Sequence, residues 1–446
     1  MSLPPLPAMP RRALLGTGLA TALTAPATAQ PTDPQTVNFV SWTATESTQA
    51  AIREQIATFM TATGLRVAHQ HFPWSGYRTA LLARMLNEGP ADVIWLSDAW
   101  LPEFAEAGWV SPINDIPALT RFNPDTRLVC QRGVSFRGQQ YGLGYYTDNM
   151  CFLYNQRMLE RAGFAEPPKT WNEVVQQAQV IRQRGLSASP LGLALAPDPW
   201  LIEIISTLVF SFGGAFIGPT GEAVMADQPQ TRAALQFLLH MIRHERIVAP
   251  DAVKVSEDEM LEAFGQGRHA FAILPSYRLR SLNNPAQFAE AGSFRVALMP
   301  NGGDAQRHET CGWVRMYALT SAAASNLQRL RNAVTFLEAF GGRDQTGQYA
   351  MAKRLLLYAG LPFCPTPLYT DPEVNDYVTE WSRGSSEILR SQLDSVRNKD
   401  TISPWFGNWQ ALTDPLWPAI CLGTLAPEAA LGLAAEAWSR LQRTRN

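Results

Sequence analysis

A chain of 446 residues is long for one core and implies two domains. Its 46% hydrophobic and 17% charged residues exclude a disordered chain, and a formal net charge of -2 offers no electrostatic footprint for nucleic acid or an anionic membrane. The five cysteines, Cys130, Cys151, Cys311, Cys364 and Cys421, are scattered without a CxxC pair, so neither a zinc site nor a disulfide framework is expected, although a single bridge stays open.

The first 29 residues read as an export signal. Arg11-Arg12 precedes a mildly apolar stretch from Ala13 to Ala25, and Ala27-Thr28-Ala29 offers a cleavage site before Gln30. The paired arginines and the Gly- and Thr-diluted apolar stretch fit a twin-arginine signal better than a Sec signal. No cysteine lies at the cleavage site for a lipid anchor, and no later run reaches the ~18 apolar residues a membrane helix needs. The expected product is free in the periplasm.

From there strands and helices alternate, the signature of a parallel α/β sheet. Val37–Val40 is a first strand, followed by a helix with Ile52, Ile56, Phe59 and Met60 on one face and Gly64 as its stop. Leu65–His71 alternates as a second strand and Tyr77–Asn87 forms a helix. Asp92–Leu96 has the unbroken apolar character of a buried parallel strand, and Asp98 is expected to cap a helix ending at Gly108. Tyr141–Tyr145 and Cys151–Tyr154 read as two short strands. Thr170 to Glu173 and Ser256 to Glu259 each form a capping box. Between them lie a strand at Leu191–Leu195, an apolar helix Trp200–Phe212 closed by Gly213-Gly214, and a helix opened by Asp227 and Pro229. Further strands are expected at Ala270–Leu274, Phe294–Leu298 and Val314–Leu319, with helices dominating after Ser325.

Open α/β sheets bind ligands at the C-terminal ends of their strands. Aromatic and polar residues collect at those ends: Trp42, Thr43 and Glu46 after strand one, Trp74 and Tyr77 after strand two, Ser97, Asp98 and Trp100 after strand three, and Tyr145, Tyr146 and Asp148 after strand four. Planar rings that accept apolar sugar faces, beside carboxylates that bond hydroxyls, suit a carbohydrate. An anionic solute would call for cations at these exits; Arg78 is the one there, and Arg315 lies inside a strand. A tyrosine pair for iron is disfavoured because adjacent Tyr145 and Tyr146 should point to opposite faces. His69 and His71 share a strand face without a third metal ligand in view, and Trp95 and Trp171 suit the core. No phosphate loop, GxSxG elbow or HExxH pair occurs, and no cofactor is implied.

Seven short motifs then fall in one order: Thr63 to Val67; Ala91 to Ile94 with Ala107 to Pro112; Tyr141 to Leu143 with Leu153 to Asn155; Gly163-Phe164 through Pro167 to Glu173; Phe212 to Gly214; Gly267 to Ala272; and Leu425 to Leu431. In that order the chain resembles the family 1 extracellular solute-binding proteins, the group that includes maltose-binding protein. The resemblance implies a two-lobed α/β binding-protein fold of type II, with a ligand cleft between lobes and a helix-rich C-terminal region. It places one lobe at 30–147 plus 294–342 and the other at 148–293 plus 343–446. It implies a monomer that binds a small solute, expected to be a sugar, and docks on ABC permease subunits in the inner membrane. It adds Trp200, Tyr277, Gly312, Trp313 and Trp409, with Trp405, as candidate cleft positions and assigns Asp148 an acidic ligand contact. Leu96 replaces the strand-three aromatic of the maltose type, which leaves the particular sugar open. A binding protein for a polyamine or a phosphate ester remains the alternative, and a glycoside hydrolase built on Asp98 and Asp148 a more remote one.

Overall fold

A computed structural model describes residues 33–43, 45–87, 89–302 and 307–444. The export signal therefore lies outside the described residues. Among the described residues eleven strands follow in chain order: β1 (Thr36–Thr43), β2 (Arg66–Pro73), β3 (Val93–Ser97), β4 (Ser135–Phe136), β5 (Gln139–Gln140), β6 (Gly142–Asn155), β7 (Leu191–Gly192), β8 (Phe271–Pro275), β9 (Phe294–Ala297), β10 (Thr310–Leu319) and β11 (Val396–Asn398). Nine of them join one sheet in the order β2-β1-β3-β10-β6-β8-β7, with β11 beside β10 and β9 beside β6. The pair β4–β5 stands alone.

Local chemistry explains most boundaries. The helix Glu46–Thr63 stops at Gly64, whose φ of 73° costs a glycine little. Thr170 caps the helix Trp171–Gln183 through Glu173 N, although the Glu173 carboxylate reaches Lys169 N rather than closing a reciprocal box. Ser256 and Glu259 do close one. Three further expectations change. Asp98 does not cap the next helix, which begins at Leu101 with no side-chain cap. The two short strands expected between Tyr141 and Tyr154 are one 14-residue strand, β6. Its polar middle reads as a break, but Thr147 Oγ1 donates to Trp313 O at 3.1 Å and Asn149 Nδ2 to Met150 O at 2.9 Å, so these groups stay satisfied inside. The strand expected at Leu191–Leu195 pairs only at its first two residues.

The long strands β6 and β10 run antiparallel to each other, with Gly312 opposite Asn149 and Ala318 opposite Gly142. The first half of β6 thus belongs with β1, β2 and β3, and its second half pairs with β8 and β9. Phe294–Ala297 pairs with the Phe152–Asn155 half of β6. Beyond residue 343, the helix Ala350–Ala359 packs on the helix Glu46–Thr63 through Arg354 and Tyr358, which reach Glu54 at 2.6 and 2.7 Å. Over β1 and β10, Phe336 and Phe340 of the helix Leu327–Gly341 pack against Phe39 and Tyr317. The helix Leu201–Ser211, buried along its whole length, lies under β10, where Thr207 Oγ1 accepts Cys311 N.

One edge of β10 carries two strands end to end. β3 runs antiparallel to it, Val93–Ser97 opposite Leu319–Arg315, and β11 runs parallel to it, Val396–Asn398 opposite Thr310–Gly312. The C-terminal ends of β3 and β11 therefore converge on Trp313 and Val314. Gly312 makes the crowding there tolerable: a Cβ on it would come within 2.3 Å of Val396 Cγ1 and 2.8 Å of Asp148 O. Gly312→Ala is expected to lower the unfolding free energy by about 1–3 kcal/mol in urea titrations. An unchanged midpoint would mean that the three strands are not held this closely.

Candidate functional site

Strands β1, β2 and β3 all run out on one side, and each delivers an indole there. Trp42 sits at the end of β1, Trp74 opens the helix after β2, and Trp100 follows β3. Trp74 stacks on Trp100 with ring centroids 5.4 Å apart and meets Trp42 edge-on at 5.9 Å. Trp95 supports all three from inside β3. The Trp95 and Trp42 N–H groups both donate to the Tyr145 hydroxyl, and Tyr145 lies flat on Tyr317. Tyr77 is fully buried with its hydroxyl on Trp95 O at 2.6 Å, so it props the cluster from the core.

Arg315 enters this aromatic set from β10. Its guanidinium lies 5.6 Å from the Trp74 ring and 5.7 Å from the Trp95 ring. Its Nη1 donates to Ser97 Oγ at 2.9 Å and to Asp98 Oδ1 at 3.0 Å. Asp98 also accepts Val314 N at 2.9 Å and Ala99 N at 2.8 Å. Position within a strand concealed Arg315 in the sequence, whereas Arg78, the cation visible at a strand exit, is engaged by Glu103 at 2.6 Å.

A second set gathers where β6 crosses toward β8. Between Arg315 and Met316 the register of β6 against β10 shifts at Tyr145, a bulge that leaves the Tyr145 and Tyr146 rings 6.3 Å apart instead of on opposite faces. The Tyr146 hydroxyl accepts Trp313 Nε1 at 3.4 Å and donates to Asp148 Oδ2 at 3.1 Å. Asp148 is 0% exposed and accepts further bonds from Asn149 N and the Ser276 hydroxyl. Burial without a cationic partner pushes its carboxyl up to about 6, against the hydrogen bonds that hold it down. Trp200 packs on Trp313 at 5.3 Å, and half-buried Tyr277 follows β8 with Arg278 over its ring.

Sequence reasoning missed a third wall. Just past β11, Lys399 Nζ reaches Glu203 Oε1 at 2.7 Å, both residues being buried. Glu203 is the single charge on an otherwise uncharged helix, LIEIISTLVFS, and that oddity was the available signal. Among the described residues Glu203 Oε2 and, one turn on, Ser206 Oγ are buried without a hydrogen-bond partner, as are Asp400 Oδ1, Thr401 Oγ1 and Ser403 Oγ in the chain after Lys399, and Asp414 Oδ1.

The remaining candidates lie elsewhere. Glu46 is exposed and pairs with Arg53 on its own helix. The side chain of Thr43 lies outside the described residues. Trp409 is 0% exposed, donates to Ala434 O at 3.0 Å and packs among Phe216, Trp417 and Trp438, away from both aromatic sets. Gly312 contributes backbone, as above. His69 stacks on Phe39 and bonds Ser41 Oγ at 2.8 Å, and burial lowers its pKa to about 4. A cavity of about 480 Å³ lies apart from all of these, lined by Leu193, Val255, Met260 and His269 among others.

Residues 41–345 match the pattern of the bacterial extracellular solute-binding protein family. Among curated relatives, a maltotriose-binding protein of Pyrococcus abyssi is 27% identical over 159 residues, 35% of this chain and 32% of that protein. A diacetylchitobiose-binding protein of Streptomyces coelicolor is 25% identical over 169 residues, 38% of this chain and 36% of that protein. These alignments span about a third of each relative's length. Solved structures share the fold over nearly their whole length. Maltose-bound MalE3 of T. maritima superposes with a TM-score of 0.75 at 18% identity, covering 91% of this chain and 99% of that one. The GacH receptor of Streptomyces glaucescens, solved unliganded and with acarbose, gives 0.73 at 19% identity over 91% and 98%. Their two-lobed α/β architecture, helix-rich with a cleft between lobes, is also the fold of this chain.

Asp148 generates a pH prediction. Its folded-state pKa stands above the ordinary value of 3.8, so between about pH 4 and 6 the native state holds a proton that the unfolded chain has released. Stability should therefore fall as pH rises through that window. Relative to Asp148→Asn, the wild type is expected to lose up to about 3 kcal/mol between pH 4 and 6 in chemical denaturation. A difference that stays flat with pH would show that this carboxyl titrates normally.

Proposed function

The chain belongs to the bacterial extracellular solute-binding proteins, and from that membership we propose that it captures a carbohydrate by lobe closure and delivers it to the membrane permease of an ABC importer. One observation carries the reading. Trp42, Trp74 and Trp100 at the ends of β1 to β3, Trp200 against Trp313 of β10, and Tyr277 after β8 are half-buried rings beside hydrogen-bonding side chains. Rings of this kind accept the apolar faces of sugars, and Arg315 and Glu203 stand among them to bond hydroxyls. The sugar ligands named for the similar proteins, maltotriose, diacetylchitobiose, maltose and acarbose, support the same class.

In this reading the first lobe is built on β1 to β3, the first half of β6, the second half of β10 and the helices that cover them. The second lobe holds β7, β8, β9 and the last helices. The protein works as a monomer in the periplasm, without bond chemistry of its own. A hydrolase reading fares worse because both candidate carboxylates are engaged: Asp98 by Arg315, Val314 and Ala99, and Asp148 by Tyr146, Ser276 and Asn149. Export through a twin-arginine signal predicts that N-terminal sequencing of the secreted protein starts at Gln30; an uncleaved Met1 would remove the signal.

Thermal-shift screening against mono- and disaccharides, polyols and phosphate esters tests the function. A carbohydrate at a hundredfold excess over its dissociation constant should stabilise the protein by about 2.7 kcal/mol, without being consumed. Trp74→Ala and Trp200→Ala should each weaken that binding by about tenfold or more. Shifts confined to phosphate esters would remove the sugar assignment, and turnover of a glycoside would replace transport with hydrolysis.

A further inference from the structure

Beside Trp200, Lys399 pairs with Glu203, while Asp198 and Asp414 have no cationic partner among the described residues. Asp198 precedes Trp200 by two residues and accepts Trp200 N at 2.7 Å and Glu257 N at 3.3 Å. Glu203 lies within the first turn of the helix that follows; Lys399 occupies its Oε1, and its buried Oε2 has no partner. Asp414 interacts electrostatically with both Glu203 and Asp198. Its carboxylate receives no hydrogen bond among the described residues, and its buried Oδ1 has none. Asp414 also sits at the C-terminal end of the helix Phe406–Thr413, where the helix dipole adds further negative potential. The Ser206 hydroxyl, one turn beyond Glu203, is 1% exposed and equally without a partner.

Every element of this arrangement asks for positive charge and for donors. Lys399 is committed to Glu203, and among the described residues no cation lies within bonding distance of Asp414 or Asp198. A neutral hydroxyl brings one donor, whereas an ammonium group brings three donors and a full charge, and an indole beside it adds attraction to the ring face.

We propose that the solute carries a protonated amine, as in an aminated sugar, held by Asp414 and Glu203 against the ring of Trp200. This deepens the carbohydrate reading and rests on it.

Matched ligands test the idea, because N-acetylation removes the charge and keeps the ring. Isothermal titration of the full chain would compare glucosamine, N-acetylglucosamine and glucose, and the β-1,4 disaccharide of each. The amine form should bind at least about tenfold more tightly than both neutral forms, and the preference should shrink as salt rises. Asp414→Asn and Glu203→Gln should each reduce the ratio of amine to neutral-sugar affinity. Circular dichroism melts verify that the variants fold, and Asp414→Glu, which restores the charge, should restore the preference if Asp414→Asn has lost it. Neutral sugars that bind as well as the amine, or a preference unchanged in both variants, would overturn the amine site and leave the carbohydrate reading intact. Binding of spermidine with no sugar bound would overturn the carbohydrate reading while supporting the amine site. No binding by any of these probes would overturn both.

Discussion

Asp98 fills a gap in the sheet, and much of the site depends on its doing so. β3 ends at Ser97 and β11 at Asn398, so the edge of β10 between them leaves Val314 without a strand partner. Backbone N–H and C=O groups buried in that way are costly. Asp98 supplies both missing partners: its own N–H donates to Val314 O at 3.1 Å and its carboxylate accepts Val314 N at 2.9 Å. The same carboxylate then anchors Arg315, which carries the faces of Trp74 and Trp95. A single aspartate thus couples the ladder, the ion pair and the aromatic wall. Removing one partner of such a buried pair commonly costs about 3–5 kcal/mol, because the other charge is left uncompensated.

The buried carboxylates fall into two kinds, and the difference bears on function. Asp98 and Glu203 have cationic partners, Arg315 and Lys399. Asp92, far from the site, likewise has Arg329. Asp148 and the half-buried Asp414 have none among the described residues, and desolvation raises both to about 6. Asp148 is surrounded by donors from Tyr146, Ser276 and Asn149, which hold its carboxyl down against burial. Among the described residues Asp414 has no such donors, and that difference is why the two unpaired acids carry different inferences.

What the sequence made legible was whatever repeats locally. Gly64, Thr170 and the Ser256–Glu259 box mark helix ends because capping is a matter of a few neighbouring residues. The apolar run at β3 marks a buried parallel strand for the same reason. The placing of aromatics after β1, β2 and β3 was equally visible, since the strand end and the ring are adjacent in sequence. Hidden were features created by distant pairing. Thr147 to Asn149 looked like a loop because their partners, Trp313 O and Ser276, lie more than a hundred residues away. Alternation set Tyr145 and Tyr146 on opposite faces, and only the register shift against Arg315 reverses that.

Composition alone also cannot separate a wall from a core. Trp74 and Trp409 are the same side chain, each near the start of a helix, yet one stacks on Trp100 where β2 ends and the other is sealed by Phe216, Trp417 and Trp438. What distinguishes them is the neighbour that each indole N–H and ring face finds in three dimensions. Trp409 gives its N–H to Ala434 O and has no face left over. Trp74 remains half-buried, with one side against Trp100 and a cation close by. Glu203 shows the converse: a charge out of place in an apolar helix is conspicuous in the sequence, but its partner Lys399, nearly two hundred residues on, becomes meaningful only when β11 brings it to the same edge of β10.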